Sequence, residues 1–86
     1  MKFQGALVKE QGVTFAIVVV KKMVLDIRSE AEETIRSFQP VFPGTPIVLM
    51  AQDSRGVPTY LGRPDLVKFL ANISIAAIPW RDYTIS

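Results

Sequence analysis

Residues 46–70 read Pro-Ile-Val-Leu-Met-Ala-Gln-Asp-Ser-Arg-Gly-Val-Pro-Thr-Tyr-Leu-Gly-Arg-Pro-Asp-Leu-Val-Lys-Phe-Leu. This stretch decides the fold. Residues 47–51 are an unbroken apolar run, which suits a strand buried on both faces. Asp53 stands three positions before Gly56, the spacing of a type I turn with Asp first and Gly last. The chain then returns antiparallel over residues 57–61. Pro58 cannot donate to a ladder, so the returning strand belongs at a sheet edge. Gly62 breaks the strand, and Pro64 fits the first position of a helix, where its missing N–H costs nothing. Asp65 complements the positive end of the helix dipole. Leu66, Phe69, Leu70 and Ile73 form one apolar stripe at helical spacing, with Asn72 at the C-cap.

A loop over residues 52–56 pairs Ile47 with Leu61, Leu49 with Thr59 and Ala51 with Val57. One face then carries Ile47, Leu49 and Leu61, and the other carries Val48, Met50, Pro58 and Tyr60.

Working back toward the amino terminus, residues 13–20 are the most β-branched stretch and predict a strand. A first strand over residues 3–8 joins it through a turn at residues 9–12, where Gly12 supplies positive φ. Lys21 and Lys22 interrupt the apolar run before Met23-Val24-Leu25 resumes it. They mark a bulge or strand exit, and read either as gatekeepers beside an aggregation-prone run or as a binding site at the strand end. Ser29 and Glu32 match a capping box opening a helix. Ala31, Ile35 and Phe38 share one helix face, Glu32 and Arg36 are spaced for an i,i+4 pair, and Pro40 ends the element. The crossover between the second and third strands is expected to be right-handed. Toward the carboxyl terminus, residues 74–78 suit a fifth strand and residues 81–86 an extended tail. Trp80, Arg81 and Tyr83 form an aromatic-basic cluster, read as a tail anchor or a ligand contact. The order β-β-α-β-β-α-(β) predicts an α+β domain: a two-layer sandwich of a mixed four- to five-stranded sheet with two helices.

Thr45-Pro46, the hairpin, Gly62 and the following helix resemble the C-terminal half of a thioredoxin-type domain. The resemblance covers residues 45–73. The family's Cys-x-x-Cys is absent, and one strand and one helix are missing before Thr45, so no redox function is implied.

Eighty-six residues make one domain, residues 1–86. The chain begins at Met1 without a signal-peptide pattern, and its longest apolar run is too short to span a bilayer; no membrane is expected. The absence of cysteine fits a cytoplasmic setting. Ten basic and eight acidic residues leave a net charge of +2, too balanced to predict a nucleic-acid partner.

Chemistry is sparse. Without histidine or cysteine, the common general base, thiol nucleophile and preferred metal ligands are missing. No catalytic residue, cofactor or metal is expected. Glu30, Glu32 and Glu33 fall in the first turn of a helix, where the dipole accounts for them. Arg55, Arg63 and Lys68 are the candidate anion contacts. Arg55 and Arg63 stand about 17 Å apart along the hairpin, too far to clamp one phosphate. Apolar content of 49% is high for so short a chain. Two helices on one face, packed against Phe15, Ile17, Val19, Ile47, Leu49 and Leu61, leave the other face uncovered. Ala16, Val18, Val20, Val48, Met50 and Tyr60 then form an exposed apolar patch, and a homodimer is expected to bury it. The sequence therefore reads as a small, soluble, non-catalytic association domain. The rival readings are an anionic-ligand or nucleic-acid module using Lys21, Lys22, Arg55, Arg63 and Arg81, and a small enzyme using Asp, Arg and Tyr.

Overall fold

The structure, a computed structural model, describes residues 1–10 and 12–85. Gln11, within the expected turn, and Ser86, at the end of the expected tail, lie outside the described residues. β1 (Lys2–Glu10) and β2 (Val13–Val19) form an antiparallel hairpin, and Gly12 in its turn takes φ +80°. Two helices follow, α1 (Lys22–Asp26) and α2 (Arg28–Phe38). Then come β3 (Ile47–Gln52), β4 (Pro58–Leu61), α3 (Pro64–Ala71), a 3₁₀ turn (Ile75–Ala77) and β5 (Arg81–Thr84). The five strands form one mixed sheet in the order β4-β3-β2-β1-β5. Only β2 and β3 run parallel. The α+β class, the mixed sheet, the crossover after β2 and the edge position of the Pro58 strand are all as the sequence predicts.

The helices differ from expectation. They divide between the faces of the sheet instead of sharing one. Ala31 and Phe38 of α2 pack with Phe42 on Ala16, Val18, Ile47 and Leu49. Leu66 and Leu70 of α3 pack with Ile78 on Ala6, Phe15, Ile17, Val48 and Met50. Register decides which residues of β2 join each layer. Ala16 pairs with Ile47, Ile17 with Val48, and Val18 with Leu49. Backbone bonds from Ala16 N to Pro46 O (2.9 Å) and from Val20 N to Met50 O (2.8 Å) flank this pairing. Shifting a strand by one residue exchanges its faces. The expected grouping of Phe15 and Ile17 with Ile47 and Leu49 is off by that one step.

The β3–β4 hairpin is shifted by two residues, which preserves the faces. Leu49 pairs with Leu61, Met50 with Tyr60, and Ala51 with Thr59. The expected turn from Asp53 to Gly56 forms, and the strand pairing closes onto it one residue later. Asp53 N donates to the Val57 carbonyl at 3.0 Å and Gly56 N to the Asp53 carbonyl at 3.0 Å. The Asp53 carboxylate accepts from the backbone N–H of Arg55 (2.8 Å) and of Val57 (3.0 Å). Gly56 takes φ +82°, which a residue with a side chain rarely adopts.

Met23 to Leu25 are helical and do not resume the strand; Lys22 bonds Asp26 at 3.0 Å across one helical turn. The expected Ser29–Glu32 capping box does not form, because the helix begins earlier, with Ile27 at the N-cap. Glu32 accordingly pairs backward with Arg28 at 3.2 Å, not forward with Arg36. Residues 74–78 form a turn, with Ser74 Oγ accepting from Ala76 N, and not the expected strand. The fifth strand is instead β5, made from the tail and paired with β1. The ladder continues as Met1 N and Ile85 N each donate to the other residue's carbonyl at 2.8 Å. Tyr83 stacks on Phe3 with centroids 5.0 Å apart and meets Phe42 edge-on at 5.7 Å. Short, polar Arg81–Thr84 carries one buried-side aromatic and so little periodicity that its sequence resembles a tail.

Gly5 lies in the middle of this sheet and has a steric reason to be glycine. A Cβ there would stand 2.5 Å from the Ile17 carbonyl oxygen, a backbone atom that cannot swing away. Gly5→Ala is expected to destabilise the fold by roughly 1–3 kcal/mol through overpacking. Urea unfolding reads this as a lowered midpoint at unchanged slope; an unchanged midpoint would show that the strands part at no cost.

Candidate interaction surface

The six residues assigned to an exposed patch are placed otherwise. Ala16, Val18, Val48 and Met50 are buried within the chain, and Val20 and Tyr60 are half-buried. They also divide between faces: Ala16, Val18 and Val20 lie under α2, and Val48, Met50 and Tyr60 lie under α3. Ile75, Ile78 and Trp80 add cover on the α3 side, so the carboxyl-terminal segment does part of the work assigned to a partner.

The candidate anion contacts are not brought together. The Arg63 guanidinium is committed to the Asp65 carboxylate through two hydrogen bonds of 2.8 and 2.7 Å. Lys68 borders a separate cavity of about 300 Å³ beside Glu10, Asp65 and Asn72. Arg55 sits exposed in the β3–β4 turn, with no ion-pair partner among the described residues. Of the two lysines after β2, Lys22 pairs with Asp26. Trp80 Nε1–H donates to the Ile75 carbonyl at 2.9 Å, and with Tyr83 on Phe3 both aromatics of the tail cluster face the core. Among the described residues no three Asp, Glu, His or Cys side chains converge as a metal site, and no helix is long and apolar enough to cross a membrane.

Of the surface grooves that carry apolar side chains, two border α2. One, of about 550 Å³, runs beside the β4 edge over Leu25, Ile35, Ile47 and Leu61. Its rim holds Arg28 and Glu32, which pair with each other, and Arg63, which pairs with Asp65. The second, of about 480 Å³, lies between α1 and α2, with Met23 and Val24 beside Glu30, Glu33, Thr34 and Ser37. Neither Glu30 nor Glu33 has an ion-pair partner among the described residues. Met23 is 64% exposed, and Ile27, at the extended junction between α1 and α2, is 52% exposed. At the hairpin tip, Val57 is 54% exposed two residues from Arg55. The sequence does not reveal the α1–α2 groove, because Met23 to Leu25 reads as strand and the glutamates read as dipole partners.

Among the described residues, Tyr60 is the one with a buried side-chain polar atom that lacks a partner. Its hydroxyl is buried without a hydrogen bond among the described residues, and burial raises its pKa above the ordinary 10.0.

No protein-family model, curated protein or solved structure matches the chain.

Two measurements check this local chemistry. An unmade hydrogen bond at a buried hydroxyl is costly, so Tyr60→Phe is expected to stabilise the protein by about 1 kcal/mol in urea unfolding. A loss of that size would show that the hydroxyl has a partner. The hydrogen bonds from Arg63 hold the Asp65 carboxyl at about 2, below its ordinary 3.8. A depressed carboxyl stabilises the fold above the unfolded value, and that contribution is lost as pH falls from 3.8 to about 2. NMR titration of Asp65 should give the low midpoint, and Arg63→Gln should return it toward 3.8; an unmoved midpoint would remove Arg63 as the cause.

Proposed function

We propose that this domain acts by protein association, and that its partner is a second copy of itself. The observation that carries the reading is the pairing of exposed apolar side chains with unpartnered charge. Single exposed apolar residues are ordinary on protein surfaces. Met23 is different because it lines a groove whose glutamates have no ion-pair partner among the described residues. The opposite combination, an exposed apolar residue beside a cation without a partner, occurs at Val57 and Arg55. A surface carrying both halves of a complementary contact is suited to self-association, because like copies then present each other with the missing partner. A standard interface takes about 800 Å² from each partner, roughly a seventh of the 5661 Å² that the chain exposes.

Sedimentation equilibrium from low to high micromolar concentration tests the reading. The mass is expected to rise toward that of a dimer. A chain that stays monomeric throughout that range overturns it.

A further inference from the structure

We infer that the β3–β4 hairpin tip of one copy seats in the α1–α2 groove of a second copy, with Arg55 meeting Glu30 and Glu33 and Val57 resting on Met23 and Val24. This rests on the self-association reading above and names the surfaces that perform it.

The topology places both halves of the contact at the same end of the molecule. β2 and β3 run parallel, so their carboxyl ends lie at one end of the sheet. β2 leads there into α1, and β3 leads there into the hairpin turn. A two-fold axis near that end exchanges tip for groove and groove for tip at once. The contact then closes on itself and does not propagate into a filament.

Each half is built for the task. The tip is rigid, because the Asp53 carboxylate holds the backbone N–H groups of Arg55 and Val57. A preorganised loop loses little conformational freedom on docking. The groove is adaptable, since Met23 has an unbranched, polarisable side chain that repacks around an incoming apolar group. Charge selects the orientation. Arg55 brings the cation that Glu30 and Glu33 lack among the described residues. The larger groove beside β4 offers no such complement, since its rim charges already pair within the chain.

Charge reversal with rescue tests the inference, using sedimentation equilibrium on the full chain at low salt. Arg55, Glu30 and Glu33 are all exposed, so their substitution leaves the core intact. Arg55→Glu, and separately Glu30→Lys with Glu33→Lys, are each expected to raise the dimer dissociation constant about tenfold. All three changes together should restore most of the affinity. If the lysines disturb the first turn of α2, as circular dichroism would reveal, Glu30→Gln with Glu33→Gln is measured in their place and should still weaken the dimer. A second readout uses the absence of native cysteine. Mixing Met23→Cys chains with Val57→Cys chains under mild oxidation should yield the mixed disulfide in excess of either like pair. A wild type that dimerises but ignores both reversals, or a mixture in which like pairs predominate, overturns the inference and leaves the self-association reading standing. A wild type that stays monomeric overturns both and leaves the groove to a different protein.

Discussion

β3 cannot be placed anywhere but inside a sheet covered on both sides. Ile47, Val48, Leu49, Met50 and Ala51 are buried in unbroken succession. Alternate residues of a strand face opposite ways, so both faces of β3 must be kept from water. One layer of helices cannot do that. The chain meets the requirement with α2 on one side and α3 on the other, each presenting buried apolar side chains to β3 and β2. The strand's value is collective: truncating a buried leucine such as Leu49 typically costs about 2–5 kcal/mol, a large share of the stability of a small domain.

The parallel pairing of β2 with β3 follows from the same requirement. Two parallel neighbours need a crossover, and a helical crossover lays an apolar stripe over the strands it connects. Ala31, Ile35 and Phe38 supply that stripe. The close approach at Gly62, where a Cβ would meet the Ile47 carbonyl oxygen at 3.1 Å, lets the chain turn from β4 into α3 against β3. The two outer strands are short, four residues each, and they carry Pro58 on one edge and Arg81 and Asp82 on the other. Proline, charge and brevity are ordinary means of keeping a sheet edge from pairing with other chains. That protection is why the proposed contact uses a turn and a helix groove and not an open strand.

Among the described residues, six of the eighteen charged side chains are engaged in local pairs, Lys22 with Asp26, Arg28 with Glu32 and Arg63 with Asp65. Exposed pairs of this kind add little stability, but they use up charge that a partner would otherwise read. Arg55, Glu30 and Glu33, among the charges outside these pairs, stand beside the exposed side chains of Val57 and Met23. Placement beside uncovered apolar surface sets these three apart from the paired charges.

The sequence by itself determined the local elements whose signals are short in range. The buried run of β3, the Asp53–Gly56 turn, the proline at the edge, Pro64 opening α3 and the Leu66–Leu70 stripe are each legible from a few adjacent residues, because propensity, turn chemistry and periodicity act over those distances. The tertiary structure decided what depends on distant partners. The alternation in β2 and β3 is visible in each strand, but only their mutual register fixes which alternates share a face. Lys22–Asp26 is helical although its local pattern resumes the apolar run, and Arg81–Thr84 is a strand because β1 offers an edge. The candidate surface belongs to this second kind. Its exposed methionine lies in a segment whose local pattern favours a strand, and its glutamates read in the sequence as partners of a helix dipole, though only Glu30 falls in the first turn of α2. Only the packing of α1 against α2 brings them to one groove, since burial and exposure are properties of the assembled chain and not of any stretch of it.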